Sequence, residues 1–330
     1  MHPLFAAALV ALLSAGTARA AEVTPAIVFD MGGKFDKSFN EGVHDGAEAF
    51  AKATGVAVRE FEPQNDTQRE QAIRNFARRG QTPIIAVGFG QASAVKAVAA
   101  EFPALRFTII DAVAEAPNVQ SILFREEQGS YLAGMLAAMR SSTGKIGFVG
   151  GMDIPLIRKF ACGYTEGAHA VNPKIEVLQN MTGSTPAAWA DPVRGAELTR
   201  SQIERGADVV FHAAGATGIG VLQAAADAGK FGIGVDSNQN MLHPRHVLTS
   251  MVKRVDIATR ATLEAASAGT WRPGTQILGL GEDGVGLAFD QNNASIVTPE
   301  MRGRVEQAKA DIAAGRISVH DYLSDNACPN

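Results

Sequence analysis

Two successive series of short apolar runs alternating with helical patterns constrain this chain more than any single motif does. In the first, runs at 26–29, 56–61, 84–87, 107–110 and 121–124 read as strands, with helices at 39–53, 67–79 and 92–101 between the first four. The second opens with an apolar helix at 129–139. It continues with strands at 146–149, 175–178, 209–212, 232–235 and 247–251 and helices at 155–170, 192–205 and 218–228. Strand and helix alternating in this way is the signature of a parallel sheet covered by helices. The 330 residues suffice for two cores of ordinary size, about 100–150 residues each.

The pattern therefore predicts an α/β protein of two similar lobes, each a mostly parallel sheet flanked by helices. A further helix at 255–268, a strand-like 284–289 and a final helix at 299–313 are more than one lobe needs. The economical reading is a chain that crosses between lobes three times, near 124–127, 251–254 and 282–286. The first lobe then comprises 21–125 plus 253–284, and the second 126–252 plus 285–330. Three strands at a hinge let two lobes close over a ligand.

Residues 1–20 read as a secretory signal peptide, with an apolar segment from Leu4 to Leu13 and a small-x-small cleavage site at Ala18-Arg19-Ala20. The apolar segment is too short for a spanning anchor of about 20 residues. No Cys lies near the cleavage site, so the expected product is exported, soluble and not lipid-anchored. The net charge of −4 and the absence of a Lys or Arg block argue against nucleic acid or an anionic membrane as partner. A monomer is expected. An oxidising compartment would permit a Cys162–Cys328 bridge, the alternative being two unpaired thiols. Two cysteines make no zinc framework, and the seven His show no metal-ligand spacing, so no metal and no cofactor is expected.

The stretch from Phe29 to Asn40 joins the first strand to the first helix and reads as a ligand-gripping loop. Gly32 and Gly33 loosen it, Asp36 or Ser38 can cap the helix, and Phe39 offers a face beside the polar Asp36, Ser38 and Asn40. Asp111 and Asp236 each follow a strand and should project at a carboxyl edge, where open α/β folds bind ligands. Each, like Asp30 and Asp36, reads equally as a turn or cap residue. Phe160, near the start of a second-lobe helix, occupies roughly the place of Phe39, so two rings could sandwich a planar base; the alternative is ordinary core. Lys253 follows the strand at the second crossover, which puts an ammonium near the cleft; Asp236 is a candidate carboxylate partner, and the alternative is a solvated surface Lys.

The turn Gly215-Ala216-Thr217-Gly218-Ile219-Gly220 imitates a dinucleotide fingerprint but stands late in the chain, and no Tyr-x-x-x-Lys pair accompanies it. The better reading is backbone approaching a ligand at a helix amino terminus. No nucleophile elbow, phosphate-cradling loop or His-Glu-x-x-His is present.

Together, Asp36-Lys37-Ser38-Phe39-Asn40 with Gly42, Asp111, Phe160-x-x-Gly163-Tyr164-x-x-Gly167, Gly234-x-Asp236 and Lys253 make the chain resemble the basic membrane protein family. These are purine-nucleoside-binding components of ABC transporters with the type I periplasmic binding fold. The resemblance covers nearly all of the mature chain. It implies that Phe39 and Phe160 stack on the base, that Asn40 and Asp111 read its edge, and that Asp236 and Lys253 take the ribose hydroxyls, helped by backbone near Gly215. The implied function is capture of a nucleoside and delivery to a permease; a free-base or sugar binder and an exported nucleoside-processing enzyme are the alternatives. Many family members are lipoproteins, whereas this chain lacks the Cys, which points to a freely diffusing periplasmic protein.

Overall fold

The computed structural model describes residues 23–328. The expected signal peptide lies outside them. The first series forms β1 (Ala26–Val28), α1 (Phe39–Thr54), β2 (Arg59–Phe61), α2 (Asp66–Arg78), β3 (Ile84–Val87), α3 (Ala92–Glu101), β4 (Phe107–Ile110) and β5 (Val119–Phe124). The second forms α4 (Glu126–Arg140), β6 (Lys145–Met152), α5 (Pro155–Val171), β7 (Glu176–Gly183), α6 (Pro192–Glu204), β8 (Val209–Ala213), α7 (Thr217–Asp227), β9 (Phe231–Asp236) and β10 (Val247–Lys253). After it come α8 (Val255–Ser267), β11 (Gly274–Leu278), β12 (Val285–Leu287) and α9 (Pro299–Ala313).

The strands build two six-stranded sheets, ordered β11-β5-β4-β3-β1-β2 and β12-β10-β9-β8-β6-β7. Every pairing in the first is parallel, and in the second only β12 runs antiparallel, against β10. The central strands β1, β3 and β4 are buried at every position, as the continuous runs AIV, IIAV and FTII require of strands covered on both faces. The chain passes between sheets after β5, after β10 and between β11 and β12, giving the three-stranded hinge expected.

Helix ends follow local chemistry. Asn65 accepts from the Gln68 N–H to start α2, and Asp191 and Thr298 do the same before Pro192 and Pro299 at the heads of α6 and α9. Gly55, at φ +75°, ends α1 with its N–H on the Ala51 carbonyl. The sequence reading differs from the structure in the bounds of several strands, with β6 and β7 running on to Met152 and Gly183. The run at 56–61 becomes a strand only from Arg59, β5 starts two residues earlier than expected, and β11 was not expected at all. Four of the five β11 residues are exposed, so this edge strand carries no apolar alternation to announce it.

A disulfide joins Cys162 on α5 to Cys328, with Cα atoms 5.4 Å apart. It holds the tail on α5, where the Glu166 carboxylate also accepts from the His320 N–H.

Candidate functional site

The gripping loop is organised by two side chains. Asp36, not Ser38, caps α1: its carboxylate accepts from the backbone N–H groups of Ser38 at 2.8 Å, Asn40 at 3.0 Å and Glu41 at 3.1 Å. Burial pushes this carboxyl up to about 7 against those three bonds. The Asn40 amide accepts from the Asp30 N–H and donates to the carbonyls of Asp30 and Gly33, tying the loop to the end of β1. Asp30 is buried and ion-paired with Arg69, which also reaches Asp66. Burial raises Asp30, with the arginine opposing.

The two sheets face each other across a pocket with about 580 Å³ of atom-free space, part of it open to solvent. Of the sequence-derived candidates, Asp36, Phe39, Asn40, Asp111, Phe160, Gly215, Asp236 and Lys253 line it. Ser38 does not. Its hydroxyl crosses the cleft and donates to the Asp236 carboxylate. Asp111 and Asp236 stand directly after β4 and at the end of β9 with φ of +69° and +62°, a left-handed geometry that Asp tolerates better than most residues.

Lys253 is the electrostatic centre. Its ammonium is ion-paired with Asp111 and, at 2.9 Å, with Glu126 at the head of α4. This corrects the reading of Asp236 as its candidate partner: Asp236 is taken by Ser38, and Glu126 opens a helix that starts at the neighbouring hinge strand. The ammonium also lies 5.0 Å from the Phe39 ring centroid and 5.8 Å from that of Phe160, so both rings border one cation. Burial alone would depress Lys253, but Asp111, Glu126 and Asp236 outweigh it and hold the group charged. Burial pushes Asp111 up to about 7 despite Lys253, and it also raises Asp236.

The network continues away from the pocket. Lys159, one residue before Phe160, lies 3.1 Å from both Glu126 and Glu127 and donates to the Phe124 carbonyl at 2.8 Å. Burial pushes Glu126 up, but Lys253 and Lys159 outweigh it and hold the carboxyl low; Glu127 is raised by burial to about 7. Buried charges survive only when paired like this. Sequence reading missed Glu126, Lys159, Arg69 and Trp189. The first three look like ordinary helix charges, although adjacent glutamates directly after a predicted crossover were a usable signal. Trp189 lines the pocket from the connection between β7 and α6.

The glycine-rich turn divides its labour. Gly215, at φ +57°, borders the pocket. A Cβ on Gly218 would sit 1.9 Å from the His212 ring, and one on Gly220 1.8 Å from the Pro192 carbonyl oxygen. Those two glycines serve packing, which accounts for the imitation of a dinucleotide motif.

Across the cleft the lips meet. Ser237 donates to the Ser38 carbonyl at 3.1 Å, and the Gln239 amide to the Lys37 carbonyl at 2.8 Å. Gln239 is itself held by His212 at 2.9 Å and by the Val235 N–H at 3.0 Å. Among the described residues no cluster of His, Cys, Asp or Glu is placed to hold a metal, and no helix is long and apolar enough to cross a membrane.

Residues 23–321 match the family model for PnrA-like ABC transporter substrate-binding proteins. A CD4+ T-cell-stimulating antigen of Listeria monocytogenes is 33% identical over 90% of this chain and 88% of its own length. The ABC transporter nucleoside-binding protein BmpA of Lactococcus lactis is 30% identical over 90% of this chain and 89% of its own. The crystal structure of an ABC transporter solute-binding protein from Aeropyrum pernix superposes with a TM-score of 0.84 at 28% identity, covering 91% of this chain and 94% of that one. A Pyrococcus abyssi relative, 32% identical over 81% of this chain and 69% of its own, is named a lipoprotein. That name stands against the unanchored state expected here from a chain whose cysteines are Cys162 and Cys328.

Proposed function

The chain belongs to the family of PnrA-like ABC transporter substrate-binding proteins, and from that membership we propose that it binds a nucleoside, a purine nucleoside foremost, between its lobes and hands it to a membrane permease without chemical change. The observation that carries this reading is one pocket in which Phe39 and Phe160 both border the ammonium of Lys253, with the carboxylates of Asp111 and Asp236 beside them. Aromatic faces suit a flat base, and carboxylates accept from its N–H groups and from sugar hydroxyls. Asp111 and Lys253 are read as facing the base, and Asp236 and the Gly215 backbone as taking the sugar. Asn40 and Asp36 act on the ligand through the loop they hold, while Ser38 positions Asp236. Four aspartates lining the pocket disfavour a phosphorylated ligand.

We read the lobe borders at 125/126, 252/253 and 284/285, close to the three passages between the sheets, the second of them one residue before β10 ends at Lys253. Export to the periplasm as a monomer belongs to the same proposal, and the intact mass of the mature protein reads where the leader is cleaved and whether a lipid is attached. The function is tested by calorimetry with inosine, guanosine and adenosine against ribose, free purine bases and nucleotides. Nucleosides should bind, and ribose and nucleotides should not. Binding of ribose or of a base alone turns the reading to the sugar or free-base alternative, and release of free base from a nucleoside turns it to an enzyme.

A further inference from the structure

A second cavity, with about 940 Å³ of atom-free space partly open to solvent, adjoins the ligand pocket on the hinge side. The two share Phe89, Asp111 and Leu156 as walls. Most of its remaining wall surface is apolar, from Leu123, Pro155, Ile277 of β11 and Leu323 of the disulfide-held tail, while the paired Glu126 and Lys159 also border it, with Arg125 and Asp321. Asp111 therefore stands at the boundary. One of its oxygens is engaged by Lys253, and the other, Oδ1, is buried and has no hydrogen-bond partner among the described residues. A buried carboxylate oxygen without a donor is costly, so it marks where a ligand N–H belongs.

We infer that this cavity is an annex of the ligand pocket, which receives an apolar substituent carried on the base N–H that faces Asp111. The inference rests on the nucleoside reading above. A base bordered by Phe39 and Phe160 lies against Lys253 and has its edge beside Asp111, the residue bonded to that ammonium. A secondary exocyclic amine keeps one N–H for Asp111 Oδ1 and directs its alkyl or benzyl group past Asp111 toward Leu123 and Leu323. A tertiary amine has no proton to give. The ligand class so defined is the purine nucleoside with a monoalkylated exocyclic amine.

Calorimetry on the full mature protein with adenosine, 6-benzylaminopurine riboside and 6-dimethylaminopurine riboside tests this. The benzyl compound should bind at least as tightly as adenosine, and the dimethyl compound at least tenfold more weakly. Ile277→Asp combined with Leu323→Asp, at positions 46% and 47% exposed and so tolerant of charge, should weaken the benzyl compound about tenfold and leave adenosine within twofold. Benzyl binding tenfold weaker than adenosine, or a double variant that affects both ligands alike, overturns the annex while the nucleoside reading stands. If adenosine, inosine and guanosine all fail to bind, that reading falls and takes the annex with it.

Discussion

His212 shows how a single buried side chain supports the cleft from behind. It lies fully buried on β8, and burial lowers it to about 4, only partly opposed by its bond to Gln239. A His depressed in the fold is neutral there while its unfolded counterpart charges, so its stabilisation is complete above the ordinary value of 6.5 and is lost as pH falls from there to about 4. The loss is at most about 3 kcal/mol. Asp36, Asp111 and Glu127, each raised to about 7, act in the opposite sense, because the fold gains by holding their protons as pH falls below 7. The test is therefore a difference: urea denaturation of the native protein and of His212→Gln at pH 7 and pH 4.5. The native protein should lose roughly 2–3 kcal/mol more than the variant between the two pH values; parallel losses would show that His212 titrates freely. At this scale the sequence exposed residues that stand at strand ends, such as Asp111, Asp236 and Lys253, because strand position alone aims them at the cleft. It concealed Glu126 and Lys159, whose meeting depends on how two helices cross.

That crossing is written in α4 and α5. Phe160, Gly163 and Gly167 recur at helical spacing on one face of α5, and a Cβ on Gly163 or Gly167 would lie 2.3 Å from the Glu127 carbonyl oxygen or 1.9 Å from that of Tyr131. Backbone meets backbone here, as Gly134 of α4 confirms from the other side, 1.9 Å from the Tyr164 carbonyl oxygen by the same construction. The close approach carries Lys159 onto Glu126 and Glu127 and sets Phe160 in the pocket. The motif is thus a packing device with a binding consequence. Gly167→Ala should destabilise the protein by about 1–3 kcal/mol, as overpacking does, and weaken nucleoside binding by moving Phe160. Thermal denaturation and calorimetry on the same variant read the two effects, and an unchanged melting temperature would contradict the helix contact. Elements with strong patterns were legible in this way. β11 was not, since an exposed edge strand is specified by pairing with β5 and not by its own residues.

Across the whole molecule, the contacts between lips decide how readily the lobes hold a ligand. Bonds made across the cleft by Ser38, Ser237 and Gln239 exist only when the lobes meet, so they bias the equilibrium toward the closed form before any ligand contributes. Apparent affinity scales with the closed fraction. The two-lobed architecture, and hence this kind of equilibrium, was legible from the doubled strand and helix pattern. The lip contacts were not, because they pair residues about 200 apart in the chain. Ser237 isolates the effect: its hydroxyl bonds the Ser38 carbonyl and Ser237 is not itself part of the pocket lining, whereas Ser38→Ala would leave the buried Asp236 without its partner. Losing one such bond costs roughly 0.5–1.5 kcal/mol, about two- to tenfold in affinity. Ser237→Ala should therefore weaken nucleoside binding by that factor, leave the melting temperature of the empty protein nearly unchanged, and require more ligand to reach the compact form in small-angle scattering. Unchanged affinity together with an unchanged scattering titration would mean that the lips touch without contributing to closure, and that the rings and the Lys253 network alone draw the lobes together.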